Sequence, residues 1–296
     1  MEPVRFDFEA IGTTWQIDCY DLLPPERHSV IKKVILDRVE AFDKSYSRFL
    51  KDSLVTRMSQ KAGMYPLPPD ARVLLDLYAR LNATTDGLFT PLIGSVLDSL
   101  GYDAAYSLKV KDKPIQILPL DEVYVYSDTS INMKRPMILD FGAAGKGYLI
   151  DLIGELLEHN EIFSYCIDAS GDILYRNSSE KKLSVGLEHP LQTDQVIGVI
   201  ELKNGSICGS AGNRRAWGMY HHIINPITLQ SPEHVLAVWV THEDALTADA
   251  LATALFLAEP KKLATDFTFE YAILYEDLTL HRSEGFEGTF YTKEAI

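Results

Sequence analysis

The sequence has little cysteine, and its few cysteines lie far apart. Only three of the 296 residues are cysteine, at Cys19, Cys166 and Cys208. This spacing predicts neither a disulfide framework nor a zinc site, and the apolar neighbours of each thiol indicate buried, reduced cysteines. Long apolar runs of membrane-spanning length are also missing, and the first residues show no secretory signal. We therefore expect a soluble, cytoplasmic protein without a membrane span.

Positive charge is scarce as well, with 28 Lys and Arg residues against 42 Asp and Glu and a net charge of −14. This negative field argues against nucleic acid or an anionic membrane as the main partner. An acidic protein that handles phosphate groups is expected to use a metal ion and a few local cations. The hydrophobic share of 46% is typical of a globular protein, and the length allows one or two domains.

Helical and strand patterns are mixed along the chain. Apolar residues recur at helical spacing after Pro24 and over residues 69–83, 92–100, 148–157 and 246–257. Strands are predicted at residues 4–8, 14–19, 123–126, 164–167, 183–187, 196–202, 206–208, 235–240, 270–275 and 278–281. Short strands joined by tight turns, with separate helices, favour an α+β fold over a doubly wound sheet.

A glycine-rich stretch in the middle of the chain carries the clearest signal. The apolar residues 137–139 predict the end of a buried strand. Three glycines follow within six positions, at Gly142, Gly145 and Gly147, and a predicted helix comes directly after them. Glycines let the backbone approach a ligand closely, and the first N–H groups of a helix bind anions. Lys146 adds a positive charge, so the stretch predicts a phosphate site. The alternative is a tight strand-to-helix connection with Lys146 in solvent.

Two common phosphate-binding motifs are absent from this stretch. A P-loop would need Gly where Asp140 stands and Ser or Thr where Gly147 stands. The dinucleotide fingerprint would need a third small residue after Gly145-Lys146-Gly147, where the chain has Tyr148-Leu149-Ile150. The predicted phosphate site therefore belongs to neither class.

Asp249 and Thr253 are four residues apart on one face of a predicted helix whose other residues are small and apolar. A carboxylate in such surroundings is costly unless it is paired. Carboxylate and hydroxyl oxygens suit Mg²⁺. The alternative is that Asp249 caps the helix or forms a local ion pair while Thr253 bonds to its own helix.

Two adjacent histidines, His221 and His222, precede Ile-Ile-Asn-Pro. Neighbouring residues on a strand point to opposite faces, so the pair is a poor metal site. One inward-facing imidazole that acts as a base or as a hydrogen-bond partner is the functional hypothesis. A structural histidine is the alternative.

Taken together, the motifs resemble the ApbE-type flavin transferases, the FAD:protein FMN transferases, over nearly the whole chain. The two specific segments are LDFGAAGKGY at 139–148 with Asp151, and ADALATAL at 248–255. Supporting segments are residues 8–15, Ser47-Arg48-Phe49 with Asp52 and Ser53, TDGLFTP at 85–91, ASGD at 169–172 and HIINP at 222–226.

The resemblance implies a single domain over 1–296 that transfers FMN from FAD to a Ser or Thr hydroxyl of a target flavoprotein and releases AMP. It implies Mg²⁺ held by Asp249, Thr253 and the backbone carbonyl of Ala143, with Lys146 and His222 as catalytic residues. The implied FAD-binding residues are Ser47, Arg48, Phe49, Asp86, Gly87, Phe89, Gly142, Ala144, Gly145, Lys146, Gly171, Asp172 and His222.

Several positions depart from the family pattern. Ser59, Thr90, Ser170 and Asn225 replace Asn, Asp, Gly and Asp respectively, and Ile227-Thr228-Leu229 replaces Arg-Thr-Gly. Ser59 is expected in the nucleotide pocket, and an Asp at position 225 is expected to orient His222. These departures keep two alternatives open, an FAD pyrophosphatase that yields FMN and AMP, and a non-catalytic flavin-binding protein.

Overall fold

The structure is a computed structural model that describes residues 3–111, 116–179 and 181–291. Its α-helices are α1 (Pro25–Tyr46), α2 (Leu54–Gln60), α3 (Ala71–Thr84), α4 (Gly94–Ser99), α5 (Leu120–Val123), α6 (Gly145–His159), α7 (Ala245–Ala254) and α8 (Pro260–Leu263). Short 3₁₀ turns lie at Pro91–Ile93 and Gly212–Arg215.

The strands are short and spread over most of the chain. They are β1 (Val4–Ala10), β2 (Thr13–Cys19), β3 (Gly63–Pro66), β4 (Tyr124–Tyr126), β5 (Ser130–Met133), β6 (Tyr165–Ala169), β7 (Asp172–Arg176), β8 (Leu183–His189), β9 (Gln192–Leu202), β10 (Gly205–Ala211), β11 (Ala216–Trp217), β12 (Tyr220–His221), β13 (Val235–His242), β14 (Glu270–Tyr275), β15 (Leu280–Arg282) and β16 (Thr289–Phe290).

An eight-stranded sheet in the order β1-β2-β6-β7-β10-β13-β14-β15 forms the centre of the molecule. Its neighbouring strands pair antiparallel, with the register Ile17↔Ile167 between β2 and β6 and Ile167↔Leu174 between β6 and β7. Smaller sheets have the orders β16-β9-β8, β3-β5-β4 and β11-β12. Separate helices and antiparallel sheets confirm the predicted α+β class.

The two faces of the large sheet are covered by different layers. Alternation along β6 sends Ile167 into a core that it shares with α1, α6 and α7, whereas Cys166 faces the opposite core. That second core packs the sheet against β8 and β9, through Val185 and Leu187 of β8 among others. Residues 165–167 of β6 and 173–175 of β7 are buried on both faces of the sheet, which explains their apolar runs.

In the middle of the chain, the strand predicted at 137–139 was wrong, and the strand predicted at 123–126 was confirmed with a start one residue later. Residues 137–139 lie outside every sheet, because the N–H of Ile138 donates to Oγ of Ser95 at 3.3 Å and the N–H of Asp140 donates to the carbonyl of Pro91 at 2.8 Å. Residue 123 ends the short helix α5, so the predicted strand at 123–126 begins one residue later. A short apolar run does not by itself distinguish these structures.

Within the described residues, no helix is both long and apolar enough to span a bilayer.

Candidate active site

One cavity of about 1060 Å³ brings most of the predicted site residues together. Its walls come from the glycine turn before α6, the turn between β6 and β7, strand β8, residues 209–215 and one face of α7. Residues on both faces of the large sheet line it, so the cavity extends around the Ser170-Gly171 turn. Its size lies at the upper end of the range for small-molecule sites and suits an elongated ligand.

Lys146, in the first turn of α6, faces this cavity rather than bulk solvent. Its ammonium group forms an ion pair with Asp172 and lies 3.2 Å from Oδ1 of Asp249. Burial opposes the charged form of Lys146, but the two carboxylates outweigh it and raise the pKa of the ammonium above its ordinary value. Lys146 is therefore a permanent positive charge at the start of a helix, where backbone N–H groups also favour an anion.

Asp249 is 2% exposed in the middle of α7, and its partners come from α6. Oδ2 accepts a hydrogen bond of 2.9 Å from the backbone N–H of Gly147, in addition to the contact with Lys146. Burial, with the nearby charge of Asp172, raises the pKa of Asp249 to about 6 against the opposing effect of Lys146. The carboxylate is thus paired, as its burial requires, but still faces the cavity.

The N-terminus of α7 is fixed by two acidic side chains. Asp244 caps the helix and accepts from the N–H of Thr247 at 2.6 Å. Asp151, on α6, accepts from the N–H groups of Ala245 at 2.9 Å and Leu246 at 2.8 Å. These contacts hold α7 against α6 and so set the position of Asp249 relative to the glycine turn.

Thr253 lies one helical turn after Asp249 and also lines the cavity. Its Oγ1 is 3.2 Å from Oγ of Ser210, and both of these hydroxyl-bearing residues line the same cavity as Asp172 and Asp249. Within the described residues, no group of three or more His, Cys, Asp or Glu side chains is arranged to hold a metal ion. A metal here would therefore rely on hydroxyl and backbone oxygens besides the carboxylates.

His222 and His221 have different surroundings. The Nδ1 atom of His222 is buried and has no hydrogen-bond partner among the described residues, and the side chain lines the cavity. His221 instead places Nε2 2.9 Å from the carbonyl of Pro232 and accepts at Nδ1 from the N–H of Ile223 at 3.2 Å. His221 is therefore tied into its own loop, whereas His222 has an unused ring nitrogen.

The charge state of His222 follows from its neighbours. Burial first, and then the positive charges of Arg215, His221 and Lys146, lower the pKa of His222 to about 3. The imidazole is consequently neutral at physiological pH in the free protein. An anionic ligand beside Lys146 would offset those cations and raise this pKa.

Arg48 carries an unused hydrogen-bond donor. Its Nε forms an ion pair with Asp140, and its guanidinium lies over the ring of Phe49 at 4.3 Å from the centroid. The side chain is 4% exposed, and Nη2 has no hydrogen-bond partner in the described part of the chain. A buried donor of this kind is costly unless a ligand accepts from it.

Comparison with known protein families identifies the family of this chain. The sequence model of the ApbE family matches residues 11–268. The chain belongs to the ApbE family.

Similar proteins come from several bacteria. A protein named FAD:protein FMN transferase from Vibrio cholerae is 24% identical over 274 residues, covering 86% of this chain and 81% of that protein. One of the same name from Treponema pallidum is 26% identical over 279 residues, covering 84% and 76%. The crystal structure of the ApbE protein from Thermotoga maritima has a TM-score of 0.83 at 23% identity, covering 96% of this chain and 98% of that one. The flavin transferase ApbE from Vibrio cholerae gives 0.79 at 20% identity, covering 96% and 98%.

Most residues implied by the ApbE resemblance line the cavity. They are Ser47, Arg48, Phe49, Phe89, Gly142, Ala143, Gly145, Lys146, Gly171, Asp172, His222, Asp249 and Thr253.

Three others do not line the cavity. Asp86 and Gly87 form the turn after α3 with φ of 51° and 85°, the N–H of Gly87 donates to the carbonyl of Asn82 at 2.8 Å, and Asp86 pairs with Lys262. Ala144 is fully buried where α6 begins, so its side chain belongs to the core.

Two of the positions that depart from the family pattern, Asn225 and Ser59, have local roles. Oδ1 of Asn225 accepts from the N–H groups of Ile227 at 2.9 Å and Thr228 at 3.1 Å, so it serves its own turn and has no hydrogen bond with His222. Ser59 donates to the carbonyl of Thr56 at 2.8 Å and does not line the cavity. Ser170 has a φ of 57°, a conformation that glycine adopts more readily.

Sequence reasoning missed several residues of the site. Arg215 lines the cavity and donates from Nη1 to the hydroxyl of Tyr102 at 2.8 Å. Asp140 positions Arg48 and accepts at Oδ1 from the N–H of Gly142 at 2.7 Å. The adjacent Arg214 and Arg215 were a visible signal in the sequence, whereas Asp140 and its partner Arg48 are 92 positions apart in the chain.

Proposed function

We propose that this chain is an FAD:protein FMN transferase that attaches FMN to a Ser or Thr hydroxyl of a target protein and releases AMP. The observation that carries the proposal is that Lys146, Asp172, Asp249, Thr253 and His222 line one cavity in an ApbE chain. The names of its relatives in Vibrio cholerae and Treponema pallidum support the same reaction.

The cavity has the polarity that FAD requires. Lys146 and the N–H groups at the N-terminus of α6 supply hydrogen-bond donors for the pyrophosphate. A cluster of aromatic rings lies near Arg48, where Phe49 stacks on Tyr106 with centroids 5.3 Å apart and Tyr102 stacks on Trp217 at 5.6 Å. A single cavity therefore has aromatic side chains for the ring systems of an elongated ligand and hydrogen-bond donors for its phosphates.

The donor set near Lys146 fits Mg²⁺. Asp249 and Asp172 supply carboxylate oxygens, and Thr253 supplies a hydroxyl, with the carbonyl of Ala143 assigned by family resemblance; hard oxygen donors are the ligands this ion prefers. Two carboxylates against the single ammonium of Lys146 leave one negative charge, which a cation would neutralise. When bound, the ion would stabilise negative charge on the phosphoryl oxygens.

In the proposed reaction, the acceptor oxygen bonds to the phosphorus of the FMN half while the bond from that phosphorus to the bridging oxygen breaks. The bridging oxygen leaves on AMP. His222 accepts the hydroxyl proton, because its imidazole is neutral and its Nδ1 has no hydrogen-bond partner in the described residues. Lys146 holds a fixed positive charge near the phosphates as negative charge shifts between oxygens.

The test is to incubate the purified protein with FAD, Mg²⁺ and threonine-containing peptides, and to separate the products by chromatography. Transfer predicts that AMP appears together with peptide-bound flavin. If AMP and free FMN appear in equal amounts and no peptide carries flavin, the protein is an FAD pyrophosphatase. If FAD binds without being cleaved, it is a flavin-binding protein.

A further inference from the structure

Strand β8 presents its open edge to the cavity. It is the terminal strand of the β16-β9-β8 sheet, so only β9 pairs with it in the described residues. Six consecutive residues of β8, from 183 to 188, line the cavity. Side chains alternate between faces, so one face alone would contribute only every second residue. A continuous run indicates that the backbone edge of β8 borders the cavity.

The floor beside this edge is the part of the large sheet that lies beyond the β16-β9-β8 layer. Gln16 pairs with Asp168, and Asp18 pairs with Cys166, across β2 and β6, and all four side chains line the cavity. They lie on the same face as Ile173, where β8 and β9 cover the sheet. The upper layer therefore ends at β8, and the cavity continues above β2 and β6, where Gln16 and Asp168 are partly exposed and Asp18 and Cys166 are 7% and 9% exposed.

One end of β8 lies on the same side of the cavity as His222. Glu188, near the end of β8, accepts from Nη2 of Arg214 at 3.1 Å. The next residue, Arg215, accepts at its carbonyl from the N–H of His222 at 3.0 Å. A segment lying alongside β8 would thus have one end close to the His222 side of the cavity.

Resting on the proposed function, we propose that the acceptor protein docks as an extended segment along the edge of β8, adding a strand to the β16-β9-β8 sheet. The acceptor Ser or Thr lies at the Glu188 end, from which its hydroxyl reaches the FAD phosphates. Strand addition supplies binding through backbone hydrogen bonds, with side-chain pockets adding selectivity. On the floor, Asp18 is already paired with Arg5 and Gln16. Asp168 accepts at Oδ1 from the N–H of Gly171, which leaves its other oxygen for a donor side chain of the segment.

The experiment uses a pool of short synthetic peptides, each with one threonine, in three forms. One form is unmodified, and the other two are N-methylated at alternate residues, in the even or the odd register. Only alternate N–H groups of a strand face a given neighbour. We expect FMN transfer to fall by about tenfold or more in one register and to persist in the other, since several hydrogen bonds are lost together.

Amide hydrogen exchange gives a second readout. The unmodified peptide should slow exchange in residues 183–187, whereas β15, an edge strand of the large sheet, should be unchanged. Equal transfer to all three peptide forms, or no protection of β8, would overturn the docking proposal while leaving the transferase intact. If no peptide is labelled but AMP is released, the transferase proposal fails and this inference fails with it.

Discussion

The backbone N–H of Gly147 donates to Oδ2 of Asp249 at 2.9 Å, which joins the first turn of α6 directly to the middle of α7. The two helices approach so closely because residue 147 has no side chain. A Cβ atom there would lie 2.1 Å from the carbonyl oxygen of Ala245 and 2.8 Å from Cβ of Asp249. The lysine turn and the aspartate helix are therefore one structural unit, although they are about a hundred residues apart in the chain.

Substituting Gly147→Ala should force the two helices apart. We expect a loss of about 1–3 kcal/mol of unfolding free energy, the usual cost of overpacking, together with reduced turnover. Gly145→Ala is the matched control, because a Cβ atom there meets only Cζ of Phe42 at 3.8 Å. Chemical denaturation of both variants measures the effect, and equal stability of the two would contradict this packing.

Asp249→Ala should abolish Mg²⁺-dependent activity and leave the fold intact. Lys146 retains Asp172, and α7 remains held by Asp244 and Asp151. Thr253→Val should reduce activity less, because a neutral hydroxyl contributes less to a metal site than a carboxylate. Turnover is measured against Mg²⁺ concentration, with circular dichroism as the control for folding. Wild-type turnover in Asp249→Ala would remove the metal assignment.

His222→Ala should lower FMN transfer by about two to four orders of magnitude, the usual contribution of one positioned base. FAD affinity should change little, because the proton moves only when the acceptor attacks. His221→Ala is the contrasting variant, and the loss of its loop hydrogen bonds should reduce stability rather than the chemical step. Single-turnover transfer and thermal melting separate the two effects, and unchanged transfer in His222→Ala would exclude it as the base.

His222 should also affect how stability depends on pH. Its pKa is about 3 in the folded protein and about 6.5 in an unfolded chain. The unfolded state therefore binds an extra proton between these values, so stability falls as pH drops below 6.5, by up to about 1.4 kcal/mol per pH unit. His222→Gln should lose this component. Denaturant titrations from pH 7 to pH 4 give the comparison, and parallel curves for the two proteins would contradict the burial of a neutral imidazole.

Arg48→Lys should weaken FAD binding by about tenfold, because lysine preserves a positive charge for Asp140 but lacks the unpartnered Nη2 and the planar stacking on Phe49. Fluorescence titration of the bound flavin measures the change. Arg72→Lys provides a control on the exposed face of α3, where the arginine pairs with Asp76. Equal FAD affinity for Arg48→Lys and the wild type would mean that Nη2 does not face the ligand.

The sequence predicted the central unit well because its signals are local. The glycines, Lys146 and the small-residue helix that carries Asp249 each have a recognisable pattern, and the helices lie where the periodicity places them. The contacts between these segments were not predictable from spacing alone. The Asp172 partner of Lys146 and the Asp151 contacts with α7 depend on how the chain folds over long separations.

Other motifs have backbone roles that the sequence pattern did not predict. Asp86-Gly87 was expected to bind FAD, but the structure uses it as the left-handed turn after α3. Asn225, where the family pattern has Asp, accepts hydrogen bonds from Ile227 and Thr228 in its own turn. The edge of β8 had no sequence signal at all, since only the order of strands in the sheet reveals it.

The most direct test of the central claim is to quantify AMP and peptide-bound FMN in one reaction. The reaction contains wild-type protein, FAD, Mg²⁺ and a threonine peptide. Chromatography quantifies the AMP, and mass spectrometry measures the fraction of the peptide that carries FMN. The proposed transfer predicts one peptide-bound FMN for each AMP released, with neither product formed by Asp249→Ala. AMP accompanied only by free FMN would contradict the transferase assignment.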